Sequence, residues 1–251
     1  MWTNLWRTLK TPVLWMVGGT FAVAAWVFSG GGAGAMAAAE TAVKLPAPAQ
    51  DLPMPQTPKT TQTATFAGGC FWGVQAVFQH TQGVLNAVSG YAGGEASTAK
   101  YSMIGSGRTG HAEAVQITYD PTQISYGKLL QIYFSVAHDP TTLNRQGPDR
   151  GTQYRSAIFT HDAAQTNIAE RYIAQLDAAK VFPDKIVTQL TPLAAPLAFY
   201  PAEAYHQDYA TLNPRQPYIA RFDLPKIANL KGVMPEVYRD NAVLVLARPG
   251  A

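Results

Sequence analysis

Downstream of residue 63 the hydrophobic positions fall into short, separate periodicities with no internal repeat. Ala64-Thr65-Phe66-Ala67 reads as an apolar strand that runs into Gly68-Gly69. Cys70 to Gln79 then sets Val74, Val77 and Phe78 at i, i+3 and i+4, the spacing of one helix face. Val84 to Tyr91 reads as a second strand, and Ala112 to Tyr119 as a third, alternating in character and ended by Asp120-Pro121. Ser125 to Ala137 carries Leu129, Ile132, Tyr133 and Val136 on one side, with Ser125 as its N-cap. Arg155 to Thr160 is predicted as a strand, Asp162 to Lys180 as a long Ala-rich helix capped by Asp162, and Lys185 to Leu190 as a further strand. This order predicts an α+β fold, a mixed β-sheet with flanking helices built on a split βαβ (ferredoxin-like) core. Neither GxGxxG nor GxxxxGK[ST] occurs, so nothing points to a doubly wound nucleotide fold.

The N-terminal pattern is different in kind. Arg7 and Lys10 precede a stretch, Thr11 to Ala39, without any charged residue. Its apolar part, Pro12 to Phe28, is 17 residues long and is followed by small residues that offer Ala35-Met36-Ala37 for cleavage. Cations before the apolar run keep the N-terminus inside and send the rest across. Residues 1–39 are therefore expected to be a signal peptide or signal anchor, with 11–28 as the anchoring part. The domain is expected outside the cytoplasm. Residues 40–63 contain Pro46, Pro48, Pro53, Pro55 and Pro58, which forbid helix and ladder and predict an extended linker. The folded domain, with a C-terminal tail, is then 64–251.

Composition narrows the function. Hydrophobic residues are 47% of the 251, enough for a sizeable core. The formal charge is only +3, and Arg7 and Lys10 of the leader supply part of it, so no field is set up for a nucleic-acid backbone. One cysteine excludes an intramolecular disulfide and any zinc site built on several thiolates.

That cysteine sits in Gly68-Gly69-Cys70-Phe71-Trp72-Gly73. A lone cysteine is commonly a small buried hydrophobe. Here its place at a helix start predicts a stabilised thiolate, the glycines before it leave the sulfur unshielded, and an exported chain would lose an idle thiol to oxidation. A nucleophile is the reading that results, with Phe71 and Trp72 as core or as the wall of a small apolar pocket. Glu113 enters an otherwise apolar or neutral strand. It is either a solvated edge carboxylate or a desolvated acid kept protonated for donation. Gly147 to Arg155 is a polar loop rich in donors, and among twelve tyrosines most must be structural. No histidine pair has ligand spacing, so no metal is expected.

GGCFWG at 68–73, GYAGG at 90–94, TGHAEAVQITYDP at 109–121, AHDPTTLNRQGPDRGTQYRSAIF at 137–159 and AEAYHQDY at 202–209 resemble, in order and spacing, the methionine sulfoxide reductase A family. The resemblance spans roughly residues 64 to 213. It implies an α+β fold and reduction of the S epimer of methionine sulfoxide, free or in proteins, as repair of oxidative damage. By motif position it makes Cys70 the nucleophile and Phe71 and Trp72 the holders of the substrate's ε-methyl. Glu113 becomes the group that protonates the sulfoxide oxygen, shared with Tyr101 and Tyr154, and Asp149 helps shape the substrate end of the pocket. No bound cofactor is implied, and a monomer is expected.

One departure matters. Many members of that family resemble a relay with a second cysteine near the C-terminus, which this chain lacks. Recycling is therefore expected from an external thiol, either a thioredoxin-like protein or a small thiol. Two rival readings make other demands. A Cys–His hydrolase needs His111 or His206 within hydrogen-bond reach of Cys70, and a membrane-tethered binding module would work without the thiol.

Overall fold

The computed structural model describes residues 40–57, 60–195 and 197–245. The predicted leader lies outside the described residues. Among the described residues no helix is long and apolar enough to cross a membrane.

Among the described residues eight strands and six α-helices follow in chain order: β1 (Gln62–Gly68), α1 (Phe71–Gln79), β2 (Val84–Ala92), α2 (Tyr101–Ile104), β3 (Ala112–Tyr119), α3 (Tyr126–Ile132), β4 (Arg145–Gln146), β5 (Asp149–Arg150), β6 (Ser156–Thr160), α4 (Ala163–Ala179), β7 (Gln189–Pro192), β8 (Phe199–Pro201), α5 (Tyr209–Leu212) and α6 (Leu224–Val233). The fold is α+β. Six strands form one mixed sheet in the order β7-β6-β1-β3-β2-β8, and β4 and β5 pair separately. β3 lies antiparallel between β1 and β2, β6 is antiparallel to β1, and only β7 joins in parallel, on β6. α1 connects β1 to β2 and so crosses the face of the sheet directly above the inserted β3.

Period-two alternation divides the sheet. Phe66, Val115, Ile117, Tyr119 and Ile158 face the main core, where Phe66 stacks on Tyr133 at 4.9 Å and meets Phe78 at 5.6 Å. Ala67, Ala112, Ala114, Ala157 and Phe159 form a thinner layer on the other face. Glu113 shares the parity of Val115 and Ile117, so the pleat turns it toward α1.

Two elements differ from expectation. The strand expected from Lys185 starts at Gln189 as β7, because the amide of Ile186 goes to Asp177 Oδ1 at 3.1 Å and that of Val187 to the Pro140 carbonyl at 2.9 Å. The helix begun by Ser125 is capped as predicted, with Ser125 Oγ accepting from the Lys128 amide, but after Ile132 it widens into a π-helical turn, Tyr133–Ala137.

The proline-rich segment makes no ladder, yet it is packed rather than slack. The Val43 amide donates to the Ser135 carbonyl at 3.0 Å, Gln131 Nε2 donates to the Leu45 carbonyl at 2.8 Å, and the Tyr172 hydroxyl donates to the Pro46 carbonyl at 2.7 Å. Asp51 accepts from the Gly127 amide at 2.7 Å, and Leu45 is buried in the main core. Prolines remove donors but leave carbonyls, and it is largely carbonyls that hold this strap. Leu45→Ala is expected to cost about 2 kcal/mol or more. Urea denaturation measures this, and an unchanged midpoint would mean the strap adds nothing to the core.

Candidate active site

The turn from β1 to α1 builds the centre of the site. Gly69 has φ +85°, and a Cβ there would lie 2.5 Å from Gln146 Cβ. The glycine thus serves the turn and the close approach of Gln146. Cys70 occupies the N-cap position, and α1 starts at Phe71. Its neighbours reverse the expected thiolate. The Trp72 amide favours the anion, but burial pushes the Cys70 thiol well above its ordinary value, and Glu113, Asp223 and Asp149 add to this.

Glu113 is delivered by β3, opposite Tyr91 of β2. It is 3% exposed, and its Oε2 accepts from the Phe71 amide at 3.1 Å. Of the two readings left open, the desolvated one holds. Burial raises the carboxyl to about 8, against the Phe71 hydrogen bond that lowers it, with Asp149 and Asp223 raising it further. At neutral pH this is a carboxylic acid beside a thiol.

The two tyrosines come from separate loops. Tyr101 opens α2 and is 40% exposed, and its amide donates to Glu203 Oε1 at 3.0 Å. The other oxygen of Glu203 accepts from the Tyr91 hydroxyl at 2.8 Å, so one carboxylate ties α2 to the sheet. Tyr154 ends the turn Thr152–Tyr154. Burial raises both phenols, and Glu113 and Cys70 push in the same direction, which places both hydroxyls in the field of the thiol–acid pair and keeps them protonated donors.

Phe71 is fully buried, with its ring 6.0 Å from Tyr91 and 5.1 Å from His206. Trp72 stays half-buried, stacked on Tyr209 at 4.1 Å and edge-on to Tyr218 at 6.3 Å, while its Nε1 donates to His206 Nδ1 at 3.3 Å. Asp149, from the short hairpin, shares a cleft with Cys70 and Tyr218 and accepts from the Tyr218 hydroxyl. Among the described residues no hydrogen bond joins a histidine to Cys70. His111 is engaged through both ring nitrogens with the Gly94 amide and the Glu95 carbonyl, and His206 through Nδ1 with Trp72, so neither forms a Cys–His dyad here.

Several residues of the site escaped the sequence. Tyr218, Asp223 and Lys226 come from the π-helical turn Ile219–Asp223 and its flanks, and Glu40 from the strap. Their only signal was an Asp and a Lys on a largely apolar C-terminal segment, and nothing in the spacing tied them to Cys70. Glu203 and His206 belong to a motif already singled out, but their partners are set by contacts spanning more than a hundred residues.

A thiol, a protonated carboxyl and two phenols around one apolar wall make a site suited to moving oxygen from one sulfur to another under acid assistance. The known proteins point the same way. Residues 62–233 match the peptide methionine sulfoxide reductase family. The chain is 60% identical over 186 residues to peptide methionine sulfoxide reductase MsrA 2 of Mesorhizobium japonicum, covering 74% of this chain and 94% of that protein. It is 47% identical over 188 residues to MsrA 2 of Synechocystis, covering 74% and 86%. Among solved structures it resembles reduced Mxr1 of Saccharomyces cerevisiae (TM-score 0.56, 35% identity, 64% of this chain and 90% of that one). It also resembles methionine sulfoxide reductase A of Corynebacterium diphtheriae (TM-score 0.53, 34% identity, 72% and 88%). The chain belongs to the peptide methionine sulfoxide reductase family. Its activity is that of a peptide-methionine (S)-S-oxide reductase.

Proposed function

We propose that the chain reduces methionine-S-sulfoxide, free and in proteins, by a one-cysteine cycle in which Cys70 takes the oxygen and an external thiol removes it. The observation that carries this reading is the buried Glu113, a neutral acid held beside the only thiol of the chain.

A sulfoxide sulfur is a poor electrophile until its oxygen is protonated or strongly hydrogen-bonded. Glu113 supplies that proton, and Tyr101 and Tyr154 hold the oxygen. Trp72, backed by Phe71, takes the methyl group, and Asp149 shapes the far end of the pocket. The Cys70 sulfur gives two electrons to the sulfoxide sulfur and receives its oxygen, so methionine leaves and Cys70 becomes a sulfenic acid. The reactive form of the pair carries one proton, on Glu113, with the negative charge on sulfur. In recycling, one external thiol condenses with the sulfenic acid to a mixed disulfide and water. A second thiol then releases Cys70 and a symmetrical disulfide. No bound cofactor enters the cycle, and each electron pair comes from two thiols, from a thioredoxin-like protein or a small molecule. The charge-free segment 11–39 adds the proposal that this happens outside the cytoplasm, either anchored or after cleavage. Cell fractionation tests that part separately.

Single turnover without added reductant tests the cycle. The expected yield is about one methionine per enzyme, with a sulfenic acid trapped on Cys70 and turnover resuming once thiol is added. Continuous turnover without thiol, or no methionine at all, would overturn it.

A further inference from the structure

The field around Cys70 is unbalanced unless a cation is counted. The groups that face the sulfur are Glu113 from β3, Asp149 from β5, and Asp223 from the turn before α6, with the phenols of Tyr101, Tyr154 and Tyr218 around them. All three carboxyls oppose a negative sulfur. Asp223 is 1% exposed, and neither of its oxygens has a hydrogen-bond partner among the described residues. A Cβ on Gly73 would collide with Asp223 Oδ1, so this carboxyl lies directly on the first turn of α1.

Lys226 is the exception. It is 5% exposed, and it lines the same cleft as Cys70. Its stem runs along α1, with Cδ 3.3 Å from where a Cβ of Gly73 would sit. Its ammonium meets Glu40 Oε2 at 3.3 Å, so the strap fixes where the charge points. Buried lysines ordinarily lose their proton more easily. This one is held charged, first by Glu40 and then by Asp223, with Cys70 contributing in the same sense. An ammonium in the cleft that holds Cys70 favours a negative sulfur there over a neutral one.

We propose that Lys226, carried to Cys70 by α6 and held there by Glu40, is a positioning residue for charge: it balances the negative sulfur of Cys70 as thiolate and as sulfenate. The proposal rests on Cys70 as the nucleophile. It answers a question the acid beside the thiol leaves open. A thiol and a carboxyl that share one proton need a reason to keep it on the carboxyl, and a buried cation lining the same cleft as the sulfur provides one.

The test is the pH dependence of Cys70 alkylation by iodoacetamide in the full chain, alongside sulfoxide turnover. Lys226→Met is expected to raise the alkylation midpoint by about one pH unit and to slow alkylation at pH 7 about tenfold. Lys226→Arg should restore most of the rate. Glu40→Gln removes the contact that keeps the ammonium charged and in place, so it should move the midpoint the same way, upward, by less than Lys226→Met. Loss of packing alone would not be reversed by the restored charge of Lys226→Arg. An unchanged midpoint in Lys226→Met, or a midpoint in Lys226→Arg shifted as far as in Lys226→Met, would overturn the proposal. If wild-type turnover survives Cys70→Ser, the nucleophile assignment fails instead.

Discussion

Cys70→Ser is expected to lower sulfoxide reduction by about a thousandfold or more, with the fold unchanged. Serine is close in size to cysteine, and the position sits at an N-cap where a hydroxyl is well tolerated, so α1 should start where it does now. What is lost is the sulfur that accepts the oxygen. A hydroxyl at this pH has neither the nucleophilicity nor the accessible higher oxidation state. The measurement is methionine formed from methionine-S-sulfoxide under excess dithiothreitol, with circular dichroism as the control for folding. Residual turnover at even a tenth of the wild-type rate would move the nucleophile elsewhere.

Glu113→Gln is expected to slow methionine release by roughly a hundredfold to ten-thousandfold. The amide carbonyl still accepts the Phe71 amide, so the link between β3 and α1 survives, but no proton is left to give. The cause of the acidity can be checked directly. Burial favours the neutral carboxyl, so Glu113 keeps its proton below about 8 and loses it above. An infrared pH titration should therefore show a protonated carbonyl band at pH 6 that disappears through about 8 and is absent from Glu113→Gln. A band already gone at pH 6 would mean the group is ionised and would remove it as the acid.

The two experiments separate the parts of the cycle. Cys70→Ser should give neither methionine nor a trapped sulfenic acid. Glu113→Gln should give both, in the same proportion as wild type but slowly, because the acid assists the first half-reaction without taking part in the electron count.

Much of the frame was legible because it is local. Alternation in Ala112 to Tyr119 marks a strand from its own residues, but only the assembled sheet decides the side that Glu113 takes, with Val115 and Ile117. The i, i+3, i+4 set in α1 and the caps Ser125 and Asp162 depend on neighbours a few residues away. The start of the strand read at Lys185 was misplaced for the opposite reason. Its first amides are satisfied by Asp177 and by the Pro140 carbonyl, competitors that no window of a few residues contains. The proline-rich segment is similar. Its composition excludes ladder hydrogen bonding, which is correct, but composition does not say whether the free carbonyls meet water or Gln131 and Tyr172.

The same division runs through the chemistry. By itself the sequence determined the α+β class, the presence of a single thiol at a strand-to-helix turn, and an acid on a strand of otherwise apolar or neutral residues. These follow from chain chirality, pleat and helix period, which act over a few residues. Only the tertiary structure decided that Glu113 is buried enough to stay protonated, that burial and three carboxyls outweigh the helix start and hold the Cys70 thiol up, and that Lys226 and Glu40 meet beside it. Desolvation and Coulomb interaction depend on distance through the folded molecule, and residues 40, 70, 113 and 226 become neighbours only when the sheet, the strap and the C-terminal helix close on one another.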